Sequence, residues 1–286
     1  MTILVFGKTG QVARELQAKA ALTQRSLVAL SRDEADLSDP EACAAVIAAH
    51  QPSAVINAAA YTAVDKAEED EAQASVINAQ APTAMARACA HRAIPFVHIS
   101  TDYVFDGAGD APWHPGAAPA PVGAYGRSKL AGESGIIASG APAAILRASW
   151  VFSAHGNNFV KTMLRLGAER EQLGIVADQI GGPTSAASIA AACLAIADQL
   201  GSDPKKGGVY HFAGRPDVSW AGFAREIFKQ ADLRCKVAEI ATKDYPTPAQ
   251  RPLNSRLDCG STHSVFGLSR PDWGSDLSAV ITELSK

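Results

Sequence analysis

The feature that most constrains this fold is at the start of the chain. Thr2-Ile3-Leu4-Val5-Phe6 is a short apolar run that runs straight into Gly7-Lys8-Thr9-Gly10-Gln11-Val12-Ala13, after which a helical pattern continues through Leu16. An apolar run of that length reads as a buried strand. The glycines permit a tight turn and close backbone approach, and the helix behind them presents free N–H groups and a positive dipole end. Strand, glycine turn and helix in this order form a diphosphate cradle of the dinucleotide-binding kind. The spacing is Gly-x-x-Gly-x-x-Ala. It is not a P-loop, because no Gly-Lys-Ser/Thr closes it.

Strand and helix signals alternate beyond the turn. Strands are expected at 2–6, 26–30, 53–57, 95–100 and 143–147, and helices at 10–21, 40–50, 71–92 and 122–139. Asp39 caps the second helix and Pro40 opens it. Such alternation implies βαβ units and a parallel sheet covered on both faces. The expected class is therefore α/β, a Rossmann-type doubly wound parallel sheet over residues 1–148. Residues 149–286 would form mainly a smaller C-terminal substrate-binding lobe, with some later segments rejoining the sheet. In that half, helices are expected at 157–170, 184–200 and 219–231, strands at 174–177 and 208–212, and surface loops over 242–256. The Gly-, Ala- and Pro-rich stretch 106–124 is a long loop of the kind found beside functional sites.

The chemistry concentrates in two motifs. Phe96-Val97-His98-Ile99-Ser100-Thr101-Asp102-Tyr103 is a strand ending in a hydroxyl pair. Ligands in open α/β sheets bind at the carboxyl ends of strands, so Thr101 is placed to polarise a carbonyl. Tyr125-Gly126-Arg127-Ser128-Lys129 follows. On a helix, Tyr125 and Lys129 share one face. A tyrosine titrates near 10, and a neighbouring ammonium pulls it down toward the working range. The pair can then protonate an alkoxide forming on a substrate carbonyl. His98, inside a strand, reads as a satisfied core histidine.

Bulk properties narrow the class further. Of 286 residues, 47% are hydrophobic and 19% charged, and the net charge is −3, which suggests neither a nucleic-acid nor an anionic-membrane partner. Cys43, Cys89, Cys193, Cys235 and Cys259 are scattered without metal or disulfide spacing, as in a reducing, cytoplasmic setting. The seven histidines show no ligand spacing, so no metal site is expected.

Together these motifs resemble the extended short-chain dehydrogenase/reductase family. The likeness runs almost end to end. It also takes in Asn57-Ala58-Ala59-Ala60-Tyr61-Thr62 with the acidic stretch after it, Ser149-Trp150-Val151-Phe152, Gly156-Asn157-Asn158-Phe159, and Arg251-Pro252-Leu253-Asn254-Ser255-Arg256-Leu257. It implies an NADPH- or NADH-dependent reductase of a nucleotide-linked 4-keto-6-deoxyhexose, monomeric or homodimeric. It further implies catalysis by Thr101, Tyr125 and Lys129. The cofactor would meet Gly7, Gly10, Gln11, Val12, Ser31, Arg32, Asp36, Leu37, Ala58, Ala60, Tyr61 and Thr62 together with Tyr125 and Lys129. The substrate would meet Thr101, Asp102, Tyr103, Trp150, Asn157, Asn158, Arg251 and Asn254. Arg251 equally suits a diphosphate or an internal carboxylate. Ser31-Arg32 offers a cation where NAD-preferring members carry a carboxylate, which favours a 2′-phosphate.

Two departures from the family pattern matter. Dehydratases of the family carry Asp-Glu after the hydroxyl residue, whereas here Asp102-Tyr103 stands. Some relatives dimerise through magnesium held by helix glutamates. Glu15 is present, but 184–188 offers no carboxylate to join it. Epimerisation, and a regulatory role like that of the β subunit of methionine adenosyltransferase, stay open on sequence alone.

Overall fold

The computed structural model describes residues 2–285. The first-half strands are β1 (Thr2–Phe6), β2 (Ser26–Leu30), β3 (Ala54–Asn57), β4 (Phe96–Thr101) and β5 (Ala143–Ala148). Its helices are α1 (Gln11–Leu22), α2 (Pro40–His50), α3 (Val64–Ala67), α4 (Glu71–Ser75), α5 (Ala81–Ala90) and α6 (Ala124–Ala138). The second half adds β6 (Val151–Phe152), β7 (Gln172–Val176), β8 (Ile180–Gly181), β9 (Thr184–Ser185), β10 (Gly208–His211), β11 (Val218–Ser219), β12 (Lys236–Ile240) and β13 (Asn254–Ser255). Its helices are α7 (Phe159–Glu169), α8 (Ala186–Ser202), α9 (Trp220–Gln230), α10 (Gly260–Phe266) and α11 (Trp273–Leu284).

Six parallel strands make the central sheet in the order β10-β5-β4-β3-β1-β2. This is the Rossmann-like, doubly wound class expected from the alternation. Alternate residues of one strand point to opposite faces. Ile3 and Val5 thus join Leu16, Ile189 and Ile196 on one side, while Leu4 and Phe6 join Ile47, Met85 and Ile136 on the other. Burial on both faces explains why these strands read as unbroken apolar runs. The chain runs from β1 outward to β2, then crosses to β3 on the other side. That reversal opens a crevice at the carboxyl ends of β1 and β3.

The second half contributes α8 and β10 to the central layers and builds small sheets of its own, β11-β8-β13, β12-β7 and β6-β9. A separate cluster around Phe152, Phe223 and Trp273 holds α7, α9 and α11 together.

Two expectations need correcting. The helix at 71–92 is interrupted by a π turn, Val76–Gln80, between α4 and α5. Pro82 has no N–H for the Asn78 carbonyl, and its ring crowds that carbonyl, so the helix widens there. Within the expected surface loop 242–256, Asn254 and Ser255 are buried in β13 beside β8.

Candidate active site

A cleft of about 870 Å³ opens over the carboxyl ends of the central strands. Gly7, Gly10, Gln11 and Val12 line one end. Gly7 has φ +103°, a conformation that favours glycine, and a Cβ there would stand in van der Waals contact with Ala58 at 3.4 Å. Gly10 precedes α1, and no side chain caps that helix, which leaves the first-turn N–H groups for a ligand.

Ser31, Arg32, Asp36 and Leu37 continue the wall. Arg32 is exposed. Glu34 is not part of the lining. Its carboxylate accepts the Ser31 N–H at 2.8 Å and pairs with Lys8 at 3.2 Å, and these bonds hold its pKa down at about 2. The cation, not the carboxylate, thus faces the cleft.

Ala58, Ala60, Tyr61 and Thr62 line the centre. The π turn positions this segment. Asn78 is buried, accepts the Tyr61 N–H at 2.8 Å, and donates to the Tyr61 carbonyl at 3.1 Å and to Ser128 Oγ at 3.0 Å. Asn78 went unnoticed in the sequence, because a π turn leaves no periodic signal.

Thr101, Asp102, Tyr103, Tyr125 and Lys129 meet at the far end. Thr101 Oγ1 donates to Asp102 Oδ1 at 3.2 Å and accepts the Tyr103 N–H at 3.2 Å. Ser255 Oγ donates to Asp102 Oδ2 at 2.5 Å. Burial pushes Asp102 up to about 6 although both hydroxyls oppose the shift. The Tyr103 and Tyr125 rings meet edge-on at 5.5 Å. Burial raises the Tyr125 phenol above its usual value, and the Thr101 hydroxyl pulls the other way. Lys129 does not lower it here, contrary to the expectation from spacing. Its Nζ is turned to β4, 2.7 Å from the Ile99 carbonyl and 3.0 Å from His98 Nε2. Burial draws Lys129 down to about 8, with Glu133 opposing.

Trp150, Gly156 and Asn157 close the cleft from the second half. Trp150 has φ +50° and stacks on Trp220 at 3.6 Å between ring centroids. Trp220 in turn donates to Gln179 at 3.1 Å. A backbone in this conformation is costly for a bulky residue and persists only where the surrounding packing holds it, here the Trp220 ring. Neither Trp220 nor Gln179 carried a sequence signal, since both stand behind the wall rather than in a motif.

Three expected substrate contacts lie outside the cleft lining. Asn158 caps α7 and donates to Gln11 Oε1 at 2.9 Å. Arg251 pairs with Asp65 at 2.7 Å. Asn254 donates to the Ala111 carbonyl at 2.8 Å.

Comparison with known proteins agrees with this geometry. The family model described as the RmlD substrate binding domain matches residues 1–286. A dTDP-4-dehydrorhamnose reductase of Sinorhizobium fredii is 41% identical over 279 residues, covering 96% of this chain and 94% of that protein. The chain belongs to the dTDP-4-dehydrorhamnose reductase family. Two solved structures bearing that family's name superpose closely. The Clostridium acetobutylicum protein has a TM-score of 0.93 at 35% identity over the whole of both chains. The Bacillus anthracis protein, in complex with NADP, has a TM-score of 0.91 at 32% identity over 99% of each.

In this member of the dTDP-4-dehydrorhamnose reductase family, Glu15 has company that the sequence reading missed. His155 Nε2 lies 3.8 Å from Glu15 and 3.9 Å from Glu283 of α11. Burial, with some help from Glu283, raises the Glu15 pKa. Among the described residues no group of three or more His, Cys, Asp or Glu side chains is arranged to hold a metal ion, and no helix is long and apolar enough to cross a membrane.

Proposed function

We propose that this chain is an NAD(P)H-dependent oxidoreductase that reduces the C4 ketone of dTDP-4-dehydro-L-rhamnose to dTDP-L-rhamnose. One observation carries the reading. The hydroxyls of Thr101 and Tyr125 stand together at the carboxyl end of β4, on the wall of the same cleft whose other end is the glycine turn.

The cleft suits a nicotinamide dinucleotide. Gly7 allows close approach, the uncapped start of α1 offers N–H groups to a diphosphate, and Arg32 offers a guanidinium to a 2′-phosphate. When bound, the reduced nicotinamide supplies the hydride. The rest falls to the protein. Residues 1–148 chiefly hold the cofactor, and 149–286 mainly shape the substrate side. The Thr101 hydroxyl holds the C4 oxygen, and Tyr125 gives its phenolic proton to that oxygen as charge develops. Buried and protonated, Tyr125 is an acid kept ready at neutral pH. An ammonium at Lys129 favours the resulting phenolate. Trp150, locked on Trp220, forms the wall against the sugar.

The test is steady-state oxidation of NADPH and of NADH with dTDP-4-dehydro-L-rhamnose, with the product identified. Ketone-dependent oxidation yielding dTDP-L-rhamnose is expected. No ketone-dependent oxidation with either cofactor overturns the reading.

A further inference from the structure

A buried chain of hydrogen bonds links the cofactor-side loop to Lys129. The Ala59 N–H donates to Asn57 Oδ1 at 3.1 Å, Asn57 Nδ2 faces His98 Nδ1 at 3.1 Å, and His98 Nε2 faces Lys129 Nζ at 3.0 Å. Asn57, His98 and Lys129 are each at most 2% exposed, so no bulk water substitutes for a missing partner.

The polarity of this chain is fixed at one end. A backbone N–H can only donate, so Asn57 presents its oxygen to Ala59 and its amide N–H to His98. His98 Nδ1 must therefore accept, and a neutral imidazole then carries its single proton on Nε2. That N–H points at Lys129. An ammonium has three donors and no lone pair, whereas a neutral amine can accept.

We propose that the Asn57–His98 pair is a positioning device for Lys129: it docks the lysine on β4 as a neutral amine, and protonation releases the lysine toward Tyr125. Once Nζ is protonated from the cleft side, two donors face each other at 3.0 Å. The Ile99 carbonyl, 2.7 Å away, is then the acceptor that Nζ keeps on β4. Lys129 already lines the cleft, so that is the direction open to it.

The groups around the pair are few. His98 meets Asn57 from β3 and Lys129 from α6, with Ile145 of β5 as its sheet neighbour. Lys129 has Tyr125 one turn before it and Glu133 one turn after. The Glu133 carboxylate is held by Arg147 of β5 and Ser100 of β4. Burial lowers the pKa of both members, His98 to well below its usual range and Lys129 to about 8, so the docked neutral amine is the form above about pH 8 and the released ammonium the form below it.

Two measurements test the device. The first is ¹⁵N NMR of histidine-labelled protein without cofactor, with the His98 signals assigned by their loss in His98→Asn. The proton is expected on Nε2. A proton on Nδ1, or an imidazolium, overturns the proposal whatever the enzyme's activity. The second is the pH profile of kcat/KM in His98→Phe, which rests on Tyr125 and Lys129 being the catalytic pair. Removing a donor that opposes the ammonium should raise the Lys129 pKa and move the alkaline limb up by roughly one pH unit, about the worth of one hydrogen bond. If His98 instead accepts from an ammonium, the limb moves down, and the proposal fails. An unmoved limb fails it as well. A wild type that shows the Nε2–H signal but no ketone-dependent activity at any pH would count against the catalytic assignment and not against the device.

Discussion

Gly132 of α6 lies flat against the backbone carbonyl of Asn78: a Cβ at 132 would sit 2.1 Å from that oxygen. Pro82 leaves this carbonyl without its helical donor, and the helix bearing Tyr125 and Lys129 packs directly on it. The π turn, the Tyr61 backbone and α6 are therefore one packed unit. Neighbouring Gly126 makes a similar approach to the Tyr103 carbonyl, at 2.2 Å.

Gly132→Ala should push α6 away from the π turn. Overpacking of this kind costs about 1–3 kcal/mol. Urea unfolding should show the loss, and cofactor affinity should weaken with it because Asn78 also holds Tyr61. Wild-type stability in the alanine variant would mean that the two elements can separate without strain.

Tyr125→Phe keeps the ring against Tyr103 and removes the acid. Losing a general acid costs about 10²–10⁴ in rate. Turnover should fall by that order while cofactor affinity, measured by fluorescence titration, changes little. A variant retaining most of its kcat would place the acid elsewhere, with Asp102 next in line.

Much of this candidate site was legible because its motifs are local in sequence. The glycine turn, the hydroxyl pair after β4 and the Tyr-x-x-x-Lys spacing each need only one element to be placed. Period and length alone were enough to place β1 to β5. What escaped depends on contacts between distant elements. Ser255 reaches Asp102 from β13, and Trp220 backs Trp150 from α9. Arg251 shows the same limit from the other side, since only the fold brings Asp65 to it. The turn of Lys129 toward His98 could not be read from an i, i+4 rule, which fixes a shared face but not a partner. By contrast, α11 was readable and went unread. Asp272 caps it, and Trp273, Leu277 and Val280 make a plain apolar stripe. β12 is an edge strand with no fully buried residue, so its alternation is weak.

Arg32→Ala should weaken NADPH selectively. Arg32 lines the cleft beside Ser31, while Glu34 is held back by the Ser31 N–H and Lys8, so directly after β2 it is the cation that faces the cleft. A guanidinium–phosphate contact is a charge-assisted bond worth roughly 1.5–3 kcal/mol, or about tenfold to a hundredfold in affinity. The ratio of kcat/KM for NADPH to that for NADH decides the matter. A wild type with strong NADH preference, unchanged by Arg32→Ala, would sink the reading and imply that Asp33 or Glu34 reaches the ribose instead.

Asp102 should make the folded state sensitive to pH. Its carboxyl is raised to about 6, chiefly by burial, from an ordinary 3.8. In the unfolded chain it titrates near 4. The folded state thus binds this proton more tightly than the unfolded state. The contribution to stability is fully present below about pH 4 and is lost as the pH rises through about 6. Asn at this position cannot ionise, and its amide N–H can donate to Ser255 Oγ in place of the bond that Asp102 Oδ2 accepts from that hydroxyl. Between about pH 4 and pH 7, Asp102→Asn should therefore gain stability relative to wild type, on the order of 3 kcal/mol. Urea unfolding of both proteins at the two pH values gives the difference directly. Parallel curves would show that Asp102 ionises as readily in the fold as outside it, which would require water to reach its carboxylate. Activity should fall in the same variant, because Thr101 Oγ1 then loses the anionic acceptor that orients it toward Tyr125.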